Sequence, residues 1–148
     1  MDALLLDTDV FSFLNKQGDS RGDLYRPHVK GKTIALSFIT VGELYAWTTL
    51  RKWSPKRIAE LERHIKAAVI VPYDQELCKE YGRVRSECQG VGKVVSPNDL
   101  WIATSAIRHS IPLVTHNFNH FDGIPRLKVI SEASRPLPAK PGRLFNGT

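Results

Sequence analysis

Apolar and polar residues along this chain fall into blocks whose period changes, short apolar runs giving way to helical spacing and back again. The first block, Leu4-Leu-Leu6, runs straight into Asp7-Thr-Asp9. A short apolar run ended by polar residues reads as a strand buried on both faces, as in a parallel sheet covered by helices. Val10, Phe11, Phe13 and Leu14 follow at helical spacing to about Asn15, and Asp19 to Gly22 breaks that pattern. Leu24, Tyr25, His28 and Val29 give a further turn or two of helix before Gly31. Thr33-Ile-Ala-Leu-Ser37 is the next strand, β-branched at its start and apolar through its middle. Thr40 then opens a helix with Val41, Leu44, Tyr45 and Thr48 on one face. Ser54-Pro55 starts another, with Pro suited to the first helical position. Its Ile58, Leu61, Ile65 and Ala68 point inward, and Lys56, Arg57, Arg63 and Lys66 outward.

Ala68-Val-Ile-Val71 is a third strand closed by Pro72, and Asp74 caps a helix from Gln75 to about Gln89. Gly90 to Val95 forms a loop whose Gly92-Lys93 lacks the upstream Gly and following Ser or Thr of a phosphate-binding loop. Ser96-Pro97 opens a helix running to Ser110, Pro112 to Thr115 is a fourth strand, and Leu127 to Ile130 a short fifth. Strands alternating with helices predict an α/β fold, a three-layer α/β/α sandwich with a mainly parallel sheet. From Glu132 onward Pro, Ala, Lys and Gly dominate, so the pattern divides the chain into a domain over 1–131 and an extended or disordered tail over 132–148.

Composition narrows the setting. A chain of 148 residues suits one ordinary domain. No apolar stretch reaches the length of a transmembrane helix, and the start lacks the features of a signal peptide, so the expected location is the cytoplasm, without membrane association. Cys78 and Cys88, on one helix and about 15 Å apart at about 1.5 Å per residue, are expected to be reduced. The net charge of +6 favours polyanionic partners such as nucleic acid.

The acids carry the chemistry. In a parallel sheet, ligands bind at the carboxyl ends of the strands, which is where Asp7 stands. Thr40-x-x-Glu43 and Ser96-x-x-Asp99 both have the pattern of a helix start, so each acid has a plain structural reading as a first-turn stabiliser. Asp7 or Asp9 would likewise cap the helix after the first strand. Asp99, however, heads the stripe Ile102, Ala103 and Ala106 that faces the sheet, and a buried carboxylate needs a partner. Helices that follow strands begin at the strands' carboxyl ends, so Asp7, Glu43 and Asp99 can converge on one crevice. Clustered carboxylates need a cation to stay ionised together, and an all-oxygen set suits Mg²⁺ or Mn²⁺.

Four stretches, Leu4-Leu-Leu-Asp-Thr-Asp-Val10, Ser37-Phe-Ile-Thr-Val-Gly-Glu-Leu44, Ser96-Pro-Asn-Asp-Leu-Trp-Ile-Ala103 and Leu113-Val-Thr-His-Asn117, resemble the ordered motifs of PIN-domain ribonucleases, and in particular of VapC toxins from toxin–antitoxin pairs. The resemblance covers residues 1–131. It implies a compact α/β/α fold, a Mg²⁺- or Mn²⁺-dependent endoribonuclease, an RNA substrate, dimerisation and inhibition by a cognate antitoxin protein. It carries the family's three acids onto Asp7, Glu43 and Asp99. A fourth acid is expected in the stretch Asn117-Phe-Asn-His120-Phe, where His120 stands instead. Asn117 or Asp122 would then serve as an outer-shell or second-metal ligand. His116 and His120 also suggest a transition-metal site, but with no further matched ligands they read instead as exposed loop residues. Thr8, Ser37, Thr40, Asn98 and Thr115 are candidates for hydrogen-bonding the acids, and Arg51, Lys52 and Arg83 for guiding RNA.

Two other readings compete. The Asp7-Thr-Asp9-Val10 stretch also resembles the first motif of haloacid-dehalogenase-type phosphatases, with Asp7 as nucleophile and Asp9 as general acid. A catalytically silent α/β module that binds RNA or protein is the third.

Overall fold

The computed structural model describes residues 2–133. β1 (Ala3–Leu6) is the central strand of a five-stranded sheet. It leads through α1 (Thr8–Asn15) and α2 (Ser20–Val29) to β2 (Thr33–Ser37). α3 (Phe38–Leu50) and α4 (Pro55–Ala67) then connect to β3 (Val69–Val71), and α5 (Gln75–Gly90) and α6 (Pro97–Arg108) to β4 (Leu113–Val114). The four-residue α7 (Phe118–Phe121) precedes β5 (Val129–Ile130). The sheet order is β3-β2-β1-β4-β5 and every pairing is parallel.

The opening apolar run has the burial that its pattern predicts. Leu4 and Leu6 pack with Val10, Phe11, Tyr25, Leu36, Leu44 and Leu61 on the face covered by α1 to α4. Leu5 points the other way, into Val84, Ile102, Ala103, Leu113 and Phe121 beneath α5 to α7. Successive strand side chains face opposite ways, so a strand with apolar residues at every position must have a core on each side. The three-layer sandwich follows.

Three local expectations change. The break between α1 and α2 falls at residues 16–19 and ends earlier than expected; Asp19 caps α2, its side chain accepting from the Arg21 N–H, and Gly22 lies inside the helix. A Cβ at Gly22 would sit 2.6 Å from the Phe13 carbonyl oxygen, so glycine is what lets α2 approach α1. The helix after β2 begins at Phe38 and not at Thr40: Ser37 is its cap, accepting from the Ile39 N–H at 3.2 Å. Asn117 to Phe121, expected as a loop, contains α7, anchored by the fully buried Phe121.

At the other end of the domain, the expected tail starts at 132. Glu132 is tied down, its backbone N–H donating to Tyr25 Oη and its carboxylate meeting His28 Nε2 at 2.6 Å. The rest of 132–148 lies outside the described residues from position 134 onward. Cys78 is exposed and Cys88 buried, both free thiols, as the helical spacing requires.

Candidate active site

The chain passes outward from β1 to β2 and β3, then returns to β4 on the other flank of β1. Such a reversal leaves a crevice at the carboxyl ends of the two diverging strands, where ligands of parallel sheets bind. Asp7 and Thr115 immediately follow β1 and β4 at that point, and both are buried. The Thr115 hydroxyl donates to Asp7 Oδ2 at 2.7 Å, bridging the switch point. Asp7 Oδ1 accepts the Thr8 N–H at 2.8 Å, so the residue does cap α1 as its simplest reading holds.

Capping alone leaves Asp7 poorly compensated. Burial pushes its carboxyl from the ordinary 3.8 to about 7; the charge of Asp9 adds to this and that of Asp99 adds a little more, against the lowering effect of Thr115 and Thr8. A group retained at such a cost, in a cleft beside other acids, is characteristic of functional sites.

Glu43 reaches the same place from α3. Because α3 starts at Phe38, with Ser37 as its cap, Glu43 stands beyond the first turn, and stabilising the helix N-terminus no longer accounts for it. Thr8 Oγ1 lies 3.1 Å from Glu43 Oε1 and 3.1 Å from Thr40 Oγ1. With one proton to give, Thr8 donates to the carboxylate and accepts from the buried Thr40. Burial raises the Glu43 pKa, Thr8 lowers it, and the charges of Asp7 and Asp99 raise it further.

Asp99 comes from the first turn of α6, where Ser96 caps the helix through the Asp99 N–H at 3.3 Å. The stripe below it, Ile102, Ala103 and Ala106, is buried against the sheet as expected. Its carboxylate does not close a capping box but meets His120 Nδ1, 3.1 Å from Oδ2. Asp7, Glu43 and Asp99 are thus brought within electrostatic reach of one another. Among the described residues no three His, Cys, Asp or Glu side chains are drawn in to metal-ligand spacing.

Asp9, whose only chemical task lies in the phosphatase reading, also borders the crevice. It is half-buried, burial raises its pKa first, the N–H groups of Val10 and His116 oppose this, and the charge of Asp99 adds to the rise. The crevice therefore holds four acids. His116 is not an exposed loop residue either. Its Nδ1 lies 2.6 Å from the phenol oxygen of Tyr25, which is fully buried, and its ring meets Phe13 edge-on at 5.6 Å. This contact fixes the backbone just after Thr115. Of the other candidates, Ser37 is the α3 cap and Asn98 is exposed. Among the described residues neither Asn117 nor Asp122 bonds an acid through its side chain, and both are exposed. Arg83 is taken up by Glu80, 2.6 Å away, and the Arg51 guanidinium stacks on Trp47 at 4.5 Å.

An all-parallel sandwich with carboxylates gathered at its switch point defines a class, the α/β/α domains with an acidic crevice. Within that class the chain belongs to the PIN domain family, which it matches over residues 4–127. Ribonuclease VapC2 of Rickettsia felis is 31% identical over 124 residues, covering 83% of this chain and 92% of that protein. The tRNA(fMet)-specific endonuclease VapC of Salmonella typhimurium is 28% identical, covering 84% of this chain and 94% of its own length. A crystal structure of VapBC2 from Rickettsia felis bound to a DNA fragment from their promoter shares the fold, with a TM-score of 0.74 and 27% identity over 87% of this chain and 98% of that one. Membership of that family sets aside the phosphatase reading. Both oxygens of Asp7 are moreover engaged by Thr8 and Thr115, a poor state for a nucleophile.

Proposed function

We propose that this protein is a metal-dependent endoribonuclease that hydrolyses RNA phosphodiester bonds, acting as the toxin of a type II toxin–antitoxin pair. The observation that carries the reading is Asp7: a carboxylate buried at the sheet's switch point, facing Glu43, Asp99 and Asp9, with no basic side chain bonded to it among the described residues. Like charges hold such groups apart until a counter-charge joins them. The donor set of Asp7, Glu43 and Asp99 is all oxygen and fits a hard divalent ion, Mg²⁺ or Mn²⁺. Such an ion supplies Lewis acidity and charge neutralisation for displacement at phosphorus.

The chain's own residues prepare that site. Thr115 and the Thr8 N–H fix the orientation of Asp7, and Thr8 and Thr40 hold Glu43 from the opposite wall. Each hydroxyl donates to a carboxylate oxygen or relays to one that does, which favours the ionised form needed to hold a cation. Tyr25, through His116, keeps the segment after β4 in place behind Thr115. The net charge of +6 draws a polyanion toward the surface.

The partners of this reading are an RNA substrate, a cognate antitoxin protein and a second copy of the chain as a homodimer. The cytoplasm is the proposed location; among the described residues no helix is long and apolar enough to cross a membrane. The test is cleavage of RNA by the purified protein with Mg²⁺ or Mn²⁺, beside the Asp7→Asn variant and an EDTA control. Metal-dependent cleavage that the variant loses while remaining folded supports the proposal. Cleavage unaffected by EDTA or by the substitution refutes it.

A further inference from the structure

Among the described residues, His120 is the exposed side chain that hydrogen-bonds an acid of the crevice. Its side chain is 57% exposed while that of Asp99 is 22% exposed, so the ring lies at the rim and the carboxylate further in. The backbone beneath it is held from three directions. Phe121 is fully buried in the core next door, the His120 N–H donates to the Asn117 carbonyl at 3.0 Å, and Lys93 Nζ donates to the Asn119 carbonyl at 2.7 Å. A ring so placed on a fixed turn is pre-positioned and is not a freely moving surface group.

Its spacing carries the point. His120 Nδ1 and Asp99 Oδ2 are 3.1 Å apart. Two adjacent ligands on an octahedral ion with bonds of about 2.1–2.2 Å lie roughly 3.0–3.1 Å apart, the edge of the octahedron. A separation that is a hydrogen bond when a proton lies between nitrogen and oxygen is thus also that of neighbouring ligands when a cation takes the proton's place. Neutral imidazole offers one lone pair, whereas a carboxylate at the same place would offer a charged oxygen. Nitrogen donors favour first-row transition ions along the series from Mn²⁺ to Ni²⁺, while all-oxygen sets suit Mg²⁺.

We propose that His120 is a nitrogen ligand of the cation bound by Asp7, Glu43 and Asp99, and that it tilts the site away from Mg²⁺ toward Mn²⁺ and the later first-row ions. The proposal rests on the metal-site reading above and adds a ligand to it. Asp99 and His120 form one edge of the coordination shell, supplied by α6 and α7 together, while Asp7 and Glu43 approach from β1 and α3. The site is then mixed in donor type, and its ion preference is set by a single residue on the four-residue α7.

Pulsed electron paramagnetic resonance of the full chain loaded with Mn²⁺ tests this without reference to activity. Nitrogen-14 modulation of the bound Mn²⁺ signal is expected in the wild type and is expected to vanish in His120→Ala and His120→Asp. Calorimetric titration should show Mn²⁺ and Ni²⁺ binding weakened by about tenfold or more in His120→Ala, the scale of loss when a metal site loses a supporting group. In His120→Asp, Mg²⁺ should displace Mn²⁺ at a lower concentration than in the wild type. Bound Mn²⁺ with no nitrogen modulation in the wild type overturns the role of His120 and leaves the three-acid site standing. Modulation that persists in His120→Ala also overturns it, pointing to His116. If the folded wild type binds no Mn²⁺ at all, the metal-site reading itself fails and this proposal with it.

Discussion

Replacing Asp7 by Asn should make the metal-free protein more stable while removing its metal site. The carboxyl lies 5% exposed at the switch point, and burial carries its pKa from 3.8 to about 7. A carboxyl whose pKa rises on folding holds its proton more tightly in the folded chain than in the unfolded one. Below 3.8 both states are protonated and folding bears no cost; above about 7 both are ionised and the cost is complete, so stability falls as pH rises through that window. At 1.36 kcal/mol per pH unit, the gap between 3.8 and about 7 corresponds to about 4 kcal/mol at neutral pH. Asn keeps the acceptor for the Thr8 N–H but presents an amide N–H₂ to Thr115, whose oxygen already accepts from the Asn117 N–H. The Thr115 hydroxyl proton then needs a new acceptor, which takes back about 1–2 kcal/mol. The net gain is about 2–3 kcal/mol, or roughly 5–10 °C in melting temperature for a domain of this size. The assay is thermal unfolding in EDTA, followed by circular dichroism, from pH 4 to pH 8. The Asn variant should melt higher at pH 7.5, with the advantage shrinking as pH falls and passing to the wild type near pH 4, where only the loss of the Thr115 hydrogen bond remains. Excess Mn²⁺ should raise the wild-type melting temperature and leave that of the variant unchanged, because only an ion that binds the folded state stabilises it. A variant that melts several degrees below the wild type at pH 7.5 in EDTA would show that Asp7 is a stabilising cap and would refute the burial argument.

The same titration predicts that Mn²⁺ affinity falls as pH drops below about 7, since a proton on Asp7 competes with the ion, and that Asp9→Asn moves this fall to lower pH by removing a neighbouring negative charge; calorimetry across pH 5.5 to 8 reads it, and an unmoved profile removes Asp9 from the crevice's electrostatics. Thr115→Val deletes the hydroxyl that orients Asp7 and should weaken Mn²⁺ binding by about tenfold with little loss of fold, consistent with the usual effect of groups that position a metal ligand. Undiminished binding would show that the Thr8 N–H suffices. Gly22→Ala puts a methyl group 2.6 Å from the Phe13 carbonyl and should destabilise by about 1–3 kcal/mol in chemical denaturation. A neutral outcome there would mean that α1 and α2 separate freely.

Much of this arrangement is written locally and so can be read from the chain. Leu4-Leu-Leu6 carries apolar residues onto both faces of β1, and the two cores that receive them are what that pattern demands. Asp7 is legible because it ends that strand, and Asp99 because Ser96-Pro97 fixes the start of α6 and sets the stripe beneath it. Glu43 is legible as a residue of its helix, but not as one beyond the first turn. Ser37 and Thr40 are both good caps, and which one serves depends on where β2 stops pairing with β1 and β3, a matter of register and not of local sequence. His116 and Asp9 lie further from legibility. The partner that holds His116 is Tyr25, 91 residues earlier in the chain, and no local pattern announces it. Asp9 reads as an ordinary first-turn acid, and its involvement appears only once α6 brings Asp99 across the crevice. Arg83 shows the opposite error: exposed helical arginines look available for a polyanion, yet the i,i+3 pairing with Glu80 occupies this one.

The central claim is that strand β1 and helices α3 and α6 bring Asp7, Glu43 and Asp99 to a single cation. Anomalous diffraction from crystals of the full chain soaked in Mn²⁺ tests it directly. The account predicts one anomalous peak in the crevice within about 2.0–2.6 Å of an oxygen of each of the three carboxylates. A peak bound elsewhere, or a crevice without a peak in crystals whose Mn²⁺ is seen at other sites, would contradict it.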